Sequence, residues 1–458
     1  MKKQAGYHIF IAVFILLCLV PSVGMLLPER ETAGANEILT PLPALRDAEG
    51  TLNTDYLTNL TDYVEDRFFL RQDLVTAWSA LNQRLLHTSI ADSVLLGRDG
   101  WLYFGETLDD YTGAAPMTAG ETAAAAHNLA LVSEYCAGQG AAFLFTVAPN
   151  KNSIYPQHMP DLPVFSAHKN AEALAEALAE EGVAYYDLFA ALRNREETLY
   201  FRQDSHWNSK GAALAADGIN AALGRQSNYF AGPFQPSAVH RSDLYAMLYP
   251  AGAWLEEDQC YGGELTFDYE APVRSENDLN IRTTSGGSGS LLMFRDSFGG
   301  LLYPYLADSF GKAHFSRAAA YRLDQIAVRE ADFVVVELVE RNLRWLLENV
   351  PVMPAPLRTG MEAAQTLDTP AALTAEAAQA LPGYVLIRGT LPAIPDDGSL
   401  LYLQTAEECY EAFRLEADGF GLYVPESILA EPSGLVCTAA GERVSIPAVY
   451  HDILEENQ

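Results

Sequence analysis

The stretch "SLLMFRDSF", residues 290–298, decides the fold. Leu291 to Phe294 are continuously apolar, and Gly299 and Gly300 separate this run from the helical pattern "GLLYPYLADSF". An apolar run of strand length without alternation is typical of a strand buried on both faces, as in a parallel sheet. The sharp turn places Ser297 just beyond the carboxyl end of that strand, where open α/β folds collect their sites.

Similar apolar runs occur on both sides of this strand in the sequence: "AAFLFTVAP" (141–149), "VAYYDL" (183–188), "KAHFS" (312–316) and "ADFVVVELV" (331–339). Helical patterns lie between them, in an Ala-rich segment from residue 119, in residues 167–181 and in residues 209–223. This alternation predicts an α/β fold in which helices cover both faces of a parallel sheet. "SVLLGRDGWLYF" (93–104) predicts a hairpin that turns at Asp99-Gly100. Residues 224–290 fit the alternation poorly, and we predict an elaborated loop or cap there.

Changes in composition divide the chain further. The α/β domain is expected to cover residues 54–350. Residues 28–53 are rich in Pro, Gly, Thr and Glu and predict an exposed stalk, and residues 351–382 predict a linker with a short helix. Strand-like runs separated by turn residues over 383–458 predict a small all-β domain of the sandwich type.

The charge of the chain limits its partners. It has 458 residues, with 29 Lys and Arg against 60 Asp and Glu, and a net charge of −31. Such a surface repels phosphate backbones, which argues against nucleic acid as a partner. Two disulfides and buried free thiols are equally open for the four cysteines beyond the N-terminal segment, Cys136, Cys260, Cys409 and Cys437.

The N-terminus indicates export. Lys2 and Lys3 precede the apolar run "IFIAVFILLCLVPSVGMLL" (9–27), a pattern that places the N-terminus inside and the remainder outside the cytoplasm. The run is just long enough to span a bilayer, and Ser22 and Gly24 offer a small-residue cleavage site. An uncleaved signal anchor in the membrane and a cleaved signal peptide both remain open for residues 1–27.

An aspartate and a histidine come together in "YFRQDSHWNSKGA" (200–212), just before a helical pattern. Side chains two apart in an extended stretch share a face, so Asp204 can accept from Nδ1 of His206 while Ser205 points away. Nε2 of His206 is then free to take the proton of Ser297, because a serine hydroxyl is a poor nucleophile without a base.

The residues that follow are expected to support this pair. Trp207 should shield the pair from water, and Asn208 or Ser209 should cap the next helix. The Ser297 N–H should point into the cleft, as a donor to an oxyanion must.

Ordinary alternatives exist for both motifs. A lone Asp-x-His is more often a surface turn, and a lone Asp-Ser-Phe-Gly-Gly is more often a helix start. Asp204 and His206 could also bind a metal, but the other histidines are scattered, so we predict neither a metal nor another cofactor. These are His87, His127, His158, His168, His240 and His314.

"DSHW" (204–207) followed by "FRDSFGG" (294–300) resembles the exported SGNH hydrolase-like proteins that acetylate alginate, and the related bacterial proteins named for a DHHW motif. The resemblance covers roughly residues 55–345 and implies an SGNH-hydrolase-like three-layer fold. It also implies that the catalytic Asp and His precede the Ser, the order of Asp204, His206 and Ser297. Supporting pieces appear in the family's order: "YVEDRFFLRQDL" (63–74), "GRDGWLYF" (97–104), "VAPNKNSIYP" (147–156) and "VVVELVERNL" (334–343).

The chain departs from the family pattern at two positions. Ser205 stands where the motif has a second His, and Arg295 stands where the Gly-Asp-Ser block has its Gly. Arg295 either brings a cation near the site or points outward from the strand end. Substrate contacts or structural roles are open for Trp207 and for four residues that follow strand ends, Asn150, Lys151, Arg341 and Asn342.

The resemblance implies an extracytoplasmic O-acyltransferase that O-acetylates a cell-envelope or secreted polysaccharide through an acyl-serine. It also implies a membrane-bound O-acyltransferase as the partner that brings the acyl group across the membrane. A carbohydrate esterase with the same three residues is the alternative, since only the acceptor differs. A non-catalytic glycan-binding or assembly protein is a third possibility.

Overall fold

The computed structural model describes residues 2–24, 39–46, 50–359, 363, 365–366, 370–391, 400–405, 408–430, 434–439 and 442–454. The α-helices are α1 Lys2–Gly24, α2 Tyr56–Arg67, α3 Arg71–Leu86, α4 Leu108–Thr112, α5 Ala119–Gly138, α6 Lys151–Ile154, α7 Asn170–Glu180, α8 Leu188–Leu192, α9 Ser209–Ala222, α10 Asp243–Leu248, α11 Gly299–Ser309 and α12 Gln325–Arg329. The strands of the N-terminal three quarters are β1 Val94–Leu96, β2 Leu102–Phe104, β3 Ala142–Ala148, β4 Tyr185–Tyr186, β5 Phe234–His240, β6 Glu256–Tyr261, β7 Phe267–Tyr269, β8 Asn280–Ser285, β9 Ser290–Phe294, β10 Lys312–Ser316 and β11 Phe333–Val339. The C-terminal strands are β12 Leu357–Arg358, β13 Gln365–Thr366, β14 Ala371–Ala377, β15 Tyr384–Thr390, β16 Leu401–Gln404, β17 Cys409–Glu411, β18 Phe413–Arg414, β19 Gly419–Pro425, β20 Gly434–Ala439 and β21 Glu442–Leu454.

A seven-stranded sheet carries the α/β region, in the order β4-β3-β11-β9-β10-β8-β7. The first five of these strands are parallel, and they are the five apolar runs from which the sheet was predicted. The parallel sheet is therefore confirmed. Because β9 lies between β11 and β10, the turn after β9 emerges in the middle of the carboxyl edge.

Helices cover both faces of this sheet. Val334 and Val336 of β11 pack into a core with α5 and α7, while Val335 and Val339 pack into a second core with α8, α9 and α11. Alternate residues of one strand point to opposite faces, so an uninterrupted apolar strand serves both cores. The three-layer α/β fold is confirmed.

The hairpin predicted from 93–104 forms between β1 and β2, which pair antiparallel. Asp99 and Gly100 lie at its turn with φ of 56° and 77°, a left-handed backbone that Gly and Asp tolerate.

Residues 224–290 are more ordered than the loop or cap predicted for them. β5 and β6 form a separate antiparallel hairpin, and β8 and β7 extend the main sheet antiparallel beyond β10. The sequence did not predict these strands, because they are short and contain few large apolar residues.

The C-terminal region is all-β, as predicted, and its strands follow the order β12-β17-β16-β20-β21-β14-β15-β19-β18, with β13 beside β21. Side chains from both ends of this order, among them Leu403 and Leu422, share one apolar core.

The prediction of a linker with a short helix over 351–382 is wrong where residues are described, because β12 and β14 lie there as sheet strands. Their alternating burial, as in Ala371, Leu373 and Ala375, was masked by an Ala-rich composition that favours helix.

Part of the predicted stalk is held against α2. The Thr40 N–H donates to Asp66 at 2.7 Å, and Arg67 donates to the Thr40 carbonyl at 2.6 Å. Residues 28–38 and 47–49 lie outside the described residues.

Among the described helices, none combines the length and the apolar character needed to cross a membrane.

Candidate active site

A closed loop between Leu199 and Asn208 presents the Asp-Ser-His stretch. Tyr200 pairs with Trp207 as an isolated antiparallel bridge, and the Asn208 N–H donates to the Leu199 carbonyl at 2.9 Å. The stretch is therefore not the extended strand assumed from the sequence. Asn208 caps α9 as predicted, since its side chain accepts from the Gly211 N–H at 3.0 Å.

Three side chains form a hydrogen-bonded chain at the carboxyl edge of the sheet. Asp204 Oδ1 lies 2.7 Å from Nδ1 of His206, and Nε2 of His206 lies 2.9 Å from Oγ of Ser297. Asp204 Oδ1 also accepts the backbone N–H of His206 at 2.9 Å, an Asx turn that brings carboxylate and imidazole together. The structure thus unites the three residues that the sequence singled out.

A second histidine holds the other oxygen of Asp204. Nε2 of His240 lies 2.8 Å from Asp204 Oδ2, and the His240 ring stacks on Phe201 with centroids 3.8 Å apart. No pattern in the sequence placed His240 at this site, because the histidines are scattered along the chain. His240 ends β5, and the β5–β6 hairpin that delivers it to the loop left no signal in the sequence.

Asp243 is a further carboxylate that the sequence did not reveal. Its backbone N–H donates to Asp204 Oδ2 at 2.8 Å, and its own Oδ2 lies 3.6 Å from Nδ1 of His206. Ser205 Oγ donates to Asp243 Oδ2 at 2.5 Å and lies 3.1 Å from the same Nδ1. The prediction that Ser205 points away from the pair is wrong, because the chain turns here instead of running extended.

Neighbouring charges and burial act in opposite directions on the pKa values of Asp204 and His206. Burial raises the pKa of Asp204, but His206 and His240 outweigh it and hold the pKa well below its usual range. Burial lowers the pKa of His206, and Asp204 and then Asp243 outweigh it, so the pKa is raised overall. Burial and the charge of Asp204 raise the pKa of Asp243. The arrangement therefore favours an ionised Asp204 beside an imidazole that holds a proton readily.

Lys151 lies under the loop. Its Nζ donates to the carbonyls of Phe201 at 3.2 Å and Arg202 at 3.0 Å, and also to that of Asp204. Burial lowers the pKa of Lys151 to about 8, although Asp204 opposes this. Lys151 contributes to the site by fixing the loop backbone.

Glu256 of β6 fixes the same loop from another side. Its carboxylate accepts the backbone N–H groups of Arg202 at 2.6 Å and Gln203 at 3.1 Å, and the Ser242 hydroxyl at 2.7 Å. The loop backbone is thus held by a buried cation and a buried anion, which preorganises the side chains that it carries.

Asp296 shapes the turn that presents Ser297. Its Oδ1 accepts the Phe298 N–H at 2.9 Å, and its Oδ2 accepts the Val339 N–H at 2.7 Å, which ties the turn to the end of β11. The Ser297 carbonyl accepts from Gly300 at 3.0 Å. Within the described part of the chain the Ser297 N–H has no acceptor, so it is available to a ligand.

Arg295 does not point outward from the strand end, and a cation near the site stays a prediction for it. It is buried behind the turn, where it donates to the Asp296 carbonyl at 3.1 Å and to the Glu276 carbonyl, and it lies 5.5 Å from the Tyr303 ring. Burial lowers its pKa to about 10. A Cβ at position 299 would lie 2.4 Å from Arg295 Cδ, so Gly299 is needed for this packing.

Trp207 and Asn150 are also buried. Trp207 Nε1 donates to the Phe298 carbonyl at 3.1 Å, which joins the His206 loop to the Ser297 turn. The Asn150 N–H donates to Glu340 at 2.8 Å, and its side-chain amide has no partner among the described residues. The contacts of Trp207 are structural, and they agree with the structural role that the sequence left open beside a substrate contact.

Arg341 is a half-buried candidate that lies near His206. Its guanidinium lies 5.3 Å from the Phe104 ring and 5.6 Å from the Phe298 ring, and its charge lowers the pKa of His206. Asn342 is turned toward Asp296, with Nδ2 3.4 Å from Oδ2. Of this neighbouring pair, Arg341 is the better placed to meet a ligand beside His206.

Asp204, His206 and Asp243 place one donor atom each within 4.8 Å of one another, a spacing that could hold a metal ion. The same atoms already bond within the protein, since Asp204 and Ser205 occupy the Nδ1 side of the imidazole. A metal would have to break the bond that orients His206 toward Ser297, and the absence of a metal remains a prediction.

Comparison with known proteins finds a family and several relatives that match part of this chain. Residues 94–246 match the family described as "SGNH hydrolase-like domain, acetyltransferase AlgX". A probable alginate O-acetylase AlgJ from Pseudomonas syringae pv. tomato is 27% identical over 209 residues, which cover 43% of this chain and 51% of that protein. The AlgJ of Pseudomonas putida is 27% identical over 156 residues, or 33% of this chain and 38% of that one. The chain spans about half the length of the curated relatives it matches, or less.

Solved structures that align with part of this chain were also found. A DHHW family protein from Eubacterium siraeum aligns with a TM-score of 0.41 and 15% identity over 57% of this chain and 99% of that one. The O-acetyltransferase domain of Pseudomonas putida AlgJ aligns with a TM-score of 0.38 and 18% identity over 56% and 94%. The family match and the AlgJ relatives confirm the resemblance inferred from the sequence, over the part of the chain that they cover.

Proposed function

We propose that this chain is an O-acyltransferase that moves an acetyl group onto a hydroxyl of a polysaccharide. The hydrogen-bonded chain from Asp204 through His206 to Ser297, with distances of 2.7 and 2.9 Å, carries this proposal. The names of the Pseudomonas relatives, probable alginate O-acetylases, suggest the acyl group and the class of acceptor.

In the first half-reaction Ser297 becomes acylated. Its Oγ attacks the acyl carbonyl carbon of the donor while Nε2 of His206 takes the hydroxyl proton. Ionised Asp204 keeps the proton of His206 on Nδ1 and stabilises the imidazolium that forms. The Ser297 N–H donates to the oxyanion, and the leaving group departs with the proton from Nε2.

In the second half-reaction the acceptor is acylated. A sugar hydroxyl gives its proton to His206 and attacks the acyl-serine, and Ser297 regains a proton as it leaves. We assign Arg341 to the acceptor side, because its cation is half-buried near His206 and lies 5.3 and 5.6 Å from two aromatic rings. A carboxylate of an acidic sugar suits that position.

An esterase is the second candidate. Ser297 and His206 are only partly buried, so water can reach the acyl-serine as well as a sugar can. Hydrolysis would use the same three side chains, with water in place of the acceptor hydroxyl.

The reaction is assigned to the outside of the cytoplasm. Lys2, Lys3 and the apolar segment after them support export, through an anchor or a cleaved signal peptide. A membrane-bound O-acyltransferase would then supply the acyl group at the outer face of the membrane.

Mass spectrometry of the protein after exposure to 4-nitrophenyl acetate tests the acyl-serine. We expect one added acetyl group on the peptide that contains Ser297, its loss in Ser297→Ala, and its retention in the surface control Thr61→Ala. An unmodified Ser297 in folded wild-type protein would favour the non-catalytic alternative.

Adding an oligosaccharide separates transferase from esterase. Acetyl groups on an alginate oligosaccharide in excess of free acetate support transfer. Free acetate that is unaffected by the oligosaccharide identifies an esterase.

A further inference from the structure

A cavity of about 310 Å³ lies between α12 and one face of β8, β9 and β10. Its walls include Asn280, Arg282, Phe294, His314, Arg322 and Arg329. A second cavity of about 110 Å³ shares Arg282, His314 and Arg329 with the first. The larger volume falls within the range of small-molecule sites, roughly 300–1,000 Å³.

The walls concentrate positive charge in a strongly acidic protein. Three arginines line the larger cavity, although the whole chain has only 29 Lys and Arg against 60 Asp and Glu. Both Nε and Nη2 of Arg322 bond to the Asp324 carboxylate at 2.7 Å, which neutralises that arginine. The other two are less well paired.

Arg282 and Arg329 are the two arginines that remain for a ligand. Nε of Arg282 is 3.8 Å from the nearest oxygen of Glu270, longer than a hydrogen bond. Nε of Arg329 is buried and has no partner among the described residues. Two guanidinium groups with unused donors form a suitable contact for a carboxylate or a phosphate.

His314 adds an acceptor to these donors. It is 8% exposed, and its Nε2 lies 3.0 Å from Oδ1 of Asn280, so Nε2 carries the hydrogen. Its Nδ1 is buried without a partner among the described residues. Burial, with the charges of Arg329 and Arg282, lowers the pKa of His314 to about 4, which keeps the ring neutral. A buried lone pair without a donor is costly unless a ligand satisfies it.

We propose that this cavity binds a monosaccharide-sized ligand that carries an oxyanion group, either a carboxylate or a phosphate. The anion contacts Arg282 and Arg329, and a hydroxyl of the ligand donates to Nδ1 of His314. The apolar side chain of Phe294 forms part of the wall against the ring.

The site is separate from the acyl-transfer chemistry and does not depend on it. Leu292 and Phe294, which line the cavity, belong to the core on the α5 and α7 face, whereas Phe298 beside His206 belongs to the opposite core. A variant that loses ligand binding here should therefore still acylate Ser297.

Isothermal titration calorimetry on the full chain tests the proposal with four probes: glucuronate, glucose 1-phosphate, glucose and inorganic phosphate. We expect heat of binding from at least one of the two anionic sugars and at least about tenfold weaker binding of glucose, since it lacks the charge-assisted contacts. Whether glucuronate or glucose 1-phosphate binds more tightly identifies the anion. Equal binding of glucose, equal binding of inorganic phosphate, or no binding of either anionic sugar overturns the proposal.

Variants locate the binding. Arg282→Gln and Arg329→Gln should each weaken the preferred anionic sugar about tenfold or more, while Arg98→Gln, on the exposed β1–β2 hairpin, should not. His314→Phe should weaken the sugar more than it weakens inorganic phosphate, because only the sugar has a hydroxyl for Nδ1. Arg282 is part-exposed, so Arg282→Gln is the decisive variant if Arg329→Gln fails to fold. If folded Arg282→Gln binds the preferred anionic sugar as tightly as wild type does, the assignment of the cavity as the binding site is wrong.

Discussion

Two imidazoles share the carboxylate of Asp204, one on each oxygen. Oδ1 orients His206, while Oδ2 accepts from His240 and from the Asp243 N–H at 2.8 Å each. A buried carboxylate with all its lone pairs occupied cannot rotate freely, so it fixes the tautomer of His206 as well as its direction. The serine then faces the unprotonated nitrogen, which is the state a general base requires.

The pH dependence of activity should respond in opposite directions to two substitutions near His206. His206 must be neutral to act as a base, so activity appears as pH rises through its pKa. Asp243 raises this pKa and Arg341 lowers it. Asp243→Asn should therefore move the acid limb of kcat/KM to lower pH, and Arg341→Gln should move it to higher pH. Initial rates of ester cleavage across the pH range give the acid limb of each variant. Shifts of the two acid limbs in the same direction would contradict this electrostatic account.

His240 should act as a positioning residue. His240→Ala removes a donor to Asp204 and should lower kcat by about tenfold, a loss comparable with one charge-assisted hydrogen bond. His240→Gln can place an amide N–H near the position of Nε2, so it should recover most of the activity. A merely structural role predicts equal losses in both variants, and comparison of kcat, KM and melting temperature distinguishes the two cases.

The sequence could identify the three residues of the hydrogen-bonded chain because each belongs to a short motif. Asp204 and His206 lie two apart, and Ser297 follows an apolar strand directly. His240, Asp243 and Glu256 could not be identified in this way. They reach the loop through a hairpin and a short helix whose pairing depends on distant contacts, and their own segments carry no periodic signal.

At the scale of elements, burial on both faces made the central strands predictable. β9 and β11 are apolar at nearly every position. Such a continuous apolar run is typical of a strand that is buried on both faces of a parallel sheet. β14 and β8 escaped prediction for a different reason: they alternate, but with Ala, Thr and Ser in place of large apolar residues. Their strand conformation is decided by neighbouring strands and not by local preference.

Glu337 of β11 is an acidic residue inside an otherwise apolar strand, and it should cost stability at neutral pH. Burial, with the charge of Asp296, raises its pKa well above the usual range. Since the folded-state pKa exceeds the unfolded one, its contribution to stability is fully present below about pH 4.5 and is lost as pH rises through the folded pKa.

Glu337→Gln should remove this slope. We expect the variant to gain stability relative to wild type between pH 4.5 and pH 7, by on the order of 1 kcal/mol, because the neutral amide pays no ionisation penalty. Urea unfolding at the two pH values measures the difference, and Glu176→Gln on the exposed side of α7 is the control. A constant difference at both pH values would show that Glu337 is not held neutral.

At the scale of the whole molecule, charged side chains join the α/β region to the C-terminal β region. Arg358 of β12 bonds Glu134 of α5 through both oxygens at 2.7 and 2.6 Å, and its Nε bonds Glu411 of β17 at 2.6 Å. His127 of α5 bonds the other oxygen of Glu411 at 2.8 Å. Glu411 is thus a buried anion between two cationic partners from different parts of the chain.

This contact should be strongest at mildly acidic pH. Burial raises the pKa of Glu411, but His127 and Arg358 outweigh it and lower the pKa, so its contribution is present above pH 4.5 and lost as pH falls through the folded value. Burial lowers the pKa of His127, but Glu411 raises it overall, so that contribution is complete below pH 6.5 and lost as pH rises through the folded value. Between these limits both charges contribute in full.

Glu411→Gln should therefore destabilise the protein most between about pH 4.5 and 6.5, by on the order of 2 kcal/mol, because it leaves Arg358 and protonated His127 without their shared anion. The loss should shrink above this window as His127 becomes neutral, and below it as wild-type Glu411 is protonated. Thermal unfolding across the pH range measures the difference from wild type, with Glu180→Gln at the exposed end of α7 as the control. A difference that does not vary with pH would mean that His127 carries no charge in this contact.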